Sequence, residues 1–123
     1  MKLLIADDDA TLCLLLSTEL QAKGWKVEVA RDAMQTIMYA IRGQPDCILL
    51  DIQMPGGTGI EALKKLKASA KTQSIPIVVL SGSSEPTMEA SVRALGAAEF
   101  VRKPVEVDAL RGLIEQIRAS NGK

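Results

Sequence analysis

Four places in this chain carry side chains able to do chemistry: Asp7-Asp8-Asp9, Asp51, Ser81, and Lys103 followed by Pro104. Each comes directly after a short run with strand character, at residues 3–6, 47–50, 75–80 and 99–102. If the first and third of the chain's strands lie side by side, Asp7, Asp8 and Asp51 converge. Carboxylates about 5 Å apart repel by roughly 3 kcal/mol per pair at an effective dielectric of 20, so such a site calls for a cation. All-oxygen ligands at a half-open site suit Mg²⁺, which keeps some of its waters and pairs with phosphate oxygens. An aspartate beside a bound cation can attack phosphorus and form an aspartyl phosphate. The new phosphoryl oxygens would then be met by the Lys103 ammonium, the Ser81 hydroxyl and nearby backbone N–H groups.

Composition narrows the chemistry further. The chain has no histidine, which removes Ser-His-Asp and Cys-His catalysis and His-based zinc sites. Covalent chemistry must run on carboxylates, hydroxyls or lysines. Lys plus Arg and Asp plus Glu both number 15, so the net charge of zero favours neither nucleic acid nor a membrane surface as partner. No apolar run approaches a membrane span and residues 1–6 lack a secretory cleavage pattern, so a cytoplasmic protein is expected. Cys13 and Cys47 sit in apolar stretches without metal-ligand spacing and read as buried small hydrophobes.

The elements that must position these residues alternate along 123 residues, a length suited to one domain. A strand at residues 3–6 is followed by Leu12, Leu15, Leu16 and Leu20 at helical spacing, with Gly24 as the stop. A second strand is expected over residues 25–30. Asp32 and Gln35 form a capping box for a helix that Gly43-Gln44-Pro45 closes. The third strand ends on Asp51, and Thr58-Gly59-Ile60-Glu61 opens a helix carrying Lys64, Lys65 and Lys67 on a solvated face. The fourth strand spans residues 75–80. Pro86 then falls in the first turn of a helix ending at Gly96. A short strand at 99–102 and a helix over 107–119, interrupted in propensity by Gly112, complete the chain. Five strands alternating with five helices predict an α/β fold with a parallel sheet and right-handed crossovers. Ligands in such folds bind beyond the carboxyl ends of the strands. The expected division is a domain over 1–119 and a terminal tail or linker stub over 120–123.

Over essentially its whole length the chain resembles the receiver domain of two-component response regulators. The resemblance rests on Leu3-Leu4-Ile5-Ala6-Asp7-Asp8-Asp9, on Asp51-Ile52-Gln53-Met54-Pro55-Gly56-Gly57-Thr58-Gly59, on Val78-Val79-Leu80-Ser81-Gly82 and on Lys103-Pro104. The separations agree as well: 43 residues from Asp8 to Asp51, 30 on to Ser81 and 22 on to Lys103. It implies a flavodoxin-like, doubly wound (βα)5 fold with strand order 2-1-3-4-5. It also implies roles. Asp51 is the phosphoacceptor. Asp8 binds Mg²⁺ (or Mn²⁺ or another divalent cation in its place) directly and Asp7 mainly through water, with Asp51 and the Gln53 backbone carbonyl as further ligands. Lys103 holds the phosphoryl group, and the Lys103-Pro104 bond is cis. Ser81 is the hydroxyl switch and Phe100 the aromatic switch, reshaping the surface of helix four, strand five and helix five through the loop from Ser81 to Glu85. The phosphoryl group comes from a sensor histidine kinase or a histidine phosphotransfer protein. Output goes to a downstream protein effector, with no nucleic-acid or membrane binding by this chain, and dimerisation on phosphorylation stays open. No turnover of an external substrate is expected.

The chain departs from the family's pattern at Gly82, where Ala is common; glycine there would loosen the loop or open access to the site. Phe100 lacks a phenolic hydroxyl, so coupling through one is excluded. Gln53 and Ser83 stand where similar domains tune dephosphorylation. Plainer readings exist. Asp9 is a good helix N-cap before Ala10, Asp51 alone would suit a turn, Lys103 a surface, Ser81 a loop cap and Phe100 a core position. Met34, Met38 and Met54 read as packing or loop residues. Among rival functions, a hydrolase or phosphotransferase needs an acid two residues after Asp51, where Gln53 stands. A flavin carrier needs a neutral phosphate loop where Asp7-Asp8-Asp9 stands. The alternative that keeps every residue is a receiver-fold interaction module independent of phosphorylation.

Overall fold

The computed structural model describes residues 1–53, 59–82 and 86–121. Thr58 of the expected capping box, the Met54-Pro55-Gly56-Gly57 segment, Ser83, Glu85 and the last two residues of the expected tail therefore lie outside the described residues. Five strands, β1 (Lys2–Ala6), β2 (Lys26–Ala30), β3 (Cys47–Asp51), β4 (Ile77–Ser81) and β5 (Glu99–Arg102), alternate with α1 (Ala10–Gln21), α2 (Ala33–Gly43), α3 (Gly59–Ala68), α4 (Met88–Ala94) and α5 (Val107–Asn121). All strand pairs are parallel and their order is β2-β1-β3-β4-β5. The architecture expected from the sequence is the one found.

The three inner strands are apolar throughout because the sheet is covered on both faces. Successive residues point to opposite sides, so each strand feeds two cores. Leu4, Ala6, Ile48, Leu50, Ile77 and Val79 meet Ala40 of α2, Ala62, Leu63 and Leu66 of α3, and Val92 of α4. Leu3, Ile5, Cys47, Leu49, Val78 and Leu80 meet Cys13, Leu16 and Leu20 of α1 and Leu110 and Ile114 of α5. Register then fixes the functional end. Ala6 lies opposite Leu50, which sets Asp7 level with Asp51, and Ser81 lies opposite Arg102.

Helix ends follow the expected chemistry in part. Asp9 accepts from the Leu12 N–H at 3.1 Å and caps α1. Asp32 accepts from Gln35 N–H at 2.8 Å while the Gln35 side chain accepts from Arg31 N–H at 2.9 Å, closing the capping box of α2. At the other end Gln44 takes the left-handed conformation, φ 47°, that glycine usually supplies. Its side-chain amide donates to the carbonyls of Ile41 at 3.0 Å and Lys71 at 3.1 Å, which ties α2 to the connection after α3.

Several expectations need correction. Trp25 is buried but precedes β2; its N–H closes the end of α1 by donating to Leu20 O at 3.2 Å. β4 begins at Ile77, after Pro76, which has no N–H to give a ladder. Pro86 stands in a turn before α4, whose seven residues start at Met88. Leu15 is exposed and Cys13 takes its place in the buried stripe of α1. Met34 and Met38 are exposed on α2. Lys67 is not a solvated residue: its ammonium donates to Gln73 O and Ile75 O at 3.0 Å each, and burial lowers its pKa. Both cysteines are free and buried, and burial pushes the Cys47 thiol up to about 12.

α5 runs unbroken through Gly112 to Asn121, two residues past the expected end. Apart from the helix's own backbone, a Cβ at Gly112 would meet no heavy atom of the described residues within 4 Å. Gly112→Ala should therefore stabilise the fold by about 0.5–1 kcal/mol, the helix penalty of glycine relieved without a clash. Thermal unfolding should show Tm rising by about 2–6 °C. A fall in Tm would mean that the backbone at Gly112 is held in a conformation alanine resists.

Candidate functional site

Asp7 follows β1 directly, and its N–H donates to Ala30 O at 3.1 Å, continuing the ladder to β2 by one residue. That bond keeps the carboxylate at the sheet's end, fully buried. Asp7 Oδ1 accepts from the Asp9 N–H at 2.9 Å, so the chain turns away from β1 around this side chain. Asp51 is the last residue of β3 and is also buried; its Oδ1 accepts from the Gln53 N–H at 3.1 Å. Asp8 is exposed. Oxygens from Asp7, Asp8 and Asp51 all lie within 4.8 Å of one another.

Lys103 enters from β5. Its N–H donates to Ser81 O at 2.8 Å, and its peptide bond to Pro104 is cis. The ammonium stands 3.0 Å from Asp7 Oδ2 and 3.6 Å from Asp51 Oδ2. Asp7 Oδ2 makes no hydrogen bond of good angular geometry, so its contact with Lys103 is an ion pair, close in distance but imperfect in direction. For Lys103, burial alone would depress the pKa, but the close contact with Asp7 and the charges of Asp51 and Asp7 outweigh it and raise the value. For Asp51, burial raises the pKa first, and the Asp7 charge adds to it. The Gln53 N–H and the Lys103 charge oppose this without cancelling it.

Three carboxylates against one ammonium leave two negative charges uncompensated. At the separations given, each carboxylate pair repels by about 3 kcal/mol at an effective dielectric of 20. A hard divalent cation fits this donor set: three carboxylate oxygens, one of them on an exposed residue that leaves the site open on one side.

Gly59, at the start of α3, brings the next helix against this end of β3. Its N–H donates to Ile52 O at 3.0 Å, and a Cβ there would stand 2.4 Å from Asp51 O and 2.5 Å from Ile52 Cα. Only glycine permits that approach. The sequence offered Gly59 as part of a capping box, with no sign that it supports Asp51 from below. Ser81 is fully buried at the end of β4, with its carbonyl bonded to Lys103. Phe100 lies two residues back from Arg102 on β5, half-buried against the cores of α2, α3 and α4. Among the described residues, a Cβ at Gly82 would touch Gln53 Oε1 at 3.7 Å. Beside the carboxylates, Leu12 and Leu15 of α1 face Pro104 and Val105 across a groove of about 350 Å³, floored toward the site by Asp9 and Lys103.

Comparison with known proteins gives a consistent result. The family model described as the response regulator receiver domain matches residues 3–115. Protein PilH of Pseudomonas aeruginosa is 30% identical over 118 residues, covering 96% of this chain and 98% of that protein. Sporulation initiation phosphotransferase F of Bacillus subtilis is 29% identical over 115 residues, covering 94% and 91% of the two chains. The structure of chemotaxis response regulator CheY4 of Vibrio cholerae superposes with a TM-score of 0.87 at 28% identity, covering 94% and 97%.

The uncompensated charge has a measurable consequence. A carboxylate whose pKa is raised by folding adds stability only below its unfolded value near 3.9 and loses that contribution as pH rises through the folded value. At neutral pH ionised Asp51 therefore works against the fold when no cation is bound. Asp51→Asn should raise Tm in chelator at pH 7.5 by several degrees, on the order of 1 kcal/mol. Added Mg²⁺ should stabilise the wild type more than the variant. A lower Tm for the variant in chelator would show that the Lys103 contact outweighs the repulsion.

Proposed function

Since the chain belongs to the response regulator receiver domain family, a family of phosphoacceptor signalling switches, we propose that Asp51 is its phosphoryl acceptor. The observation that carries this is the Lys103 ammonium held between two buried carboxylates, 3.0 Å from Asp7 and 3.6 Å from Asp51, at an edge kept open by Asp8. Asp7, Asp8 and Asp51, with the Gln53 carbonyl, would hold Mg²⁺, which when bound neutralises phosphoryl oxygens and orients them for in-line transfer.

The protein's own part follows from its geometry. An Asp51 oxygen forms the new bond to phosphorus as the bond from phosphorus to the donor's imidazole nitrogen breaks, and the donor histidine leaves. Gln53 N–H, bonded to Asp51 Oδ1, fixes the carboxylate so that Oδ2 faces Lys103. The Lys103 ammonium then exchanges a carboxylate for a phosphoryl oxygen, a contact that strengthens as charge gathers there. Ser81 supplies a hydroxyl from the neighbouring strand, and Phe100 answers its movement on the same side of the sheet. The groove between Leu12, Leu15, Pro104 and Val105 offers an apolar seat for the histidine-bearing donor, a sensor kinase or a phosphotransfer protein. The altered α4-β5-α5 surface addresses a downstream protein, in the cytoplasm, without turnover of an external substrate.

Intact mass after incubation with acetyl phosphate tests the acceptor. The wild type should gain one phosphoryl group only with Mg²⁺, and Asp51→Asn should gain none. Lys103→Met should slow the gain by roughly 10²-fold. No gain in a wild type that binds Mg²⁺ would overturn the acceptor reading, and a gain that survives Asp51→Asn would place the acceptor elsewhere.

A further inference from the structure

Arg102 ends β5, and its guanidinium carbon lies 5.3 Å from the centroid of the Phe100 ring. Parallel register sets Phe100 opposite Val79 and Arg102 opposite Ser81. Register partners in a parallel pair share a face, so Val79, Ser81, Phe100 and Arg102 stand on one side of the sheet. Val79 and Phe100 belong to the core under α2, α3 and α4, which identifies that side. Exposure graduates along the row: Ser81 is fully buried, Phe100 half-buried and Arg102 exposed. An exposed cation thus lies over a half-buried ring, directly across the strand pair from the buried hydroxyl.

We propose that Arg102 is a positioning residue that holds the Phe100 ring at the edge of the sheet and so sets how readily the site's phosphorylation is transmitted to the α4-β5 surface. The inference rests on the reading of Asp51, Ser81 and Phe100 given above and adds the residue that regulates their coupling. A ring that moves inward, into space given up by Ser81, leaves the reach of an exposed guanidinium. The contact therefore exists in one orientation only, and a contact present in one state biases the equilibrium by its full worth. A cation over a phenyl face at an exposed position corresponds to a factor of about 2–5 in that equilibrium. Lysine would keep the charge without the flat stacking surface and retain part of the effect.

Phe100 is the single phenylalanine of the chain, so fluorophenylalanine labelling gives one fluorine resonance that reports on this ring alone. The resonance would be recorded for wild type, Arg102→Gln and Arg102→Lys, with and without Mg²⁺ and beryllofluoride as phosphoryl mimic. Phosphorylation by acetyl phosphate would be followed by intact mass in parallel. Arg102→Gln should move the resonance toward the activated position before any mimic is added and speed phosphorylation two- to five-fold. Arg102→Lys should fall between wild type and Arg102→Gln, and in a Phe100→Leu background the rate effect of Arg102→Gln should vanish. An unshifted resonance in Arg102→Gln, or a rate effect that persists without the ring, would overturn the proposal while phosphorylation of the wild type continues. Absence of any mass gain in the wild type would instead bring down the acceptor reading on which it rests.

Discussion

Everything at the functional end of this molecule follows from confining three carboxylates to a space that one ammonium cannot neutralise. Asp7 and Asp51 have no route away from each other. Each is the residue next to or at the end of an inner strand whose side chains are buried on both faces, and β1 and β3 are locked in register from Leu3–Cys47 to Ala6–Leu50. Separating them would mean opening the sheet between two packed cores. The charge must be met by chemistry instead of motion, and Lys103 meets part of it, held in place by its own backbone bond to Ser81. What is left over is a donor set that fits a hard divalent cation.

The same strand geometry divides the consequences between two faces. Asp51 pairs with Leu80, which packs toward α1 and α5. Ser81, one residue later, belongs to the opposite face, above α2, α3 and α4. Adjacent residues of β4 thus border the site on both sides of the sheet. On the α1 side lies the apolar groove of Leu12, Leu15, Pro104 and Val105. On the other lies Phe100. The two faces can present different surfaces because neighbouring residues of a strand point in opposite directions.

The fold and the clustered charges were legible because both depend on pattern. Continuous apolar runs mark strands buried on two faces, and an acid or lysine placed directly after such a run must emerge at the sheet's carboxyl end. Those grounds put Asp7, Asp8, Asp51 and Lys103 at one end of the sheet, and the resemblance supplied the strand order that makes them neighbours. What sequence left hidden depends on contacts with no periodic signature. Gly59 is required by a backbone approach from Ile52, Lys67 by two carbonyls in the connection after α3, and Arg102 by a ring two residues away. Leu15 was misjudged for another reason. Its helical spacing is correct for a buried stripe, but the stripe of α1 is narrow, and Cys13 with Leu16 and Leu20 fills it.

How a change at Ser81 would travel is constrained by the way α4 is fastened. Its C-terminal end is held twice. Arg93 bonds Glu99 of β5 at 2.7 Å and Glu89 one turn earlier at 3.0 Å. The turn at Gly96 is packed against the stem of Lys67, whose ammonium is fixed by Gln73 and Ile75. The N-terminal end, nearer to Ser81 in the chain, has Thr87 as its cap residue with no side-chain capping bond. Its first turn is closed by Ser91, whose N–H and hydroxyl donate to Thr87 O at 3.0 and 2.9 Å. The two ends of α4 are thus fastened differently, the C-terminal end to β5 through Arg93 and Glu99 and the first turn by bonds within the helix. Phe100 joins that fastening through its backbone, its N–H lying 3.3 Å from the same Glu99 carboxylate that holds Arg93.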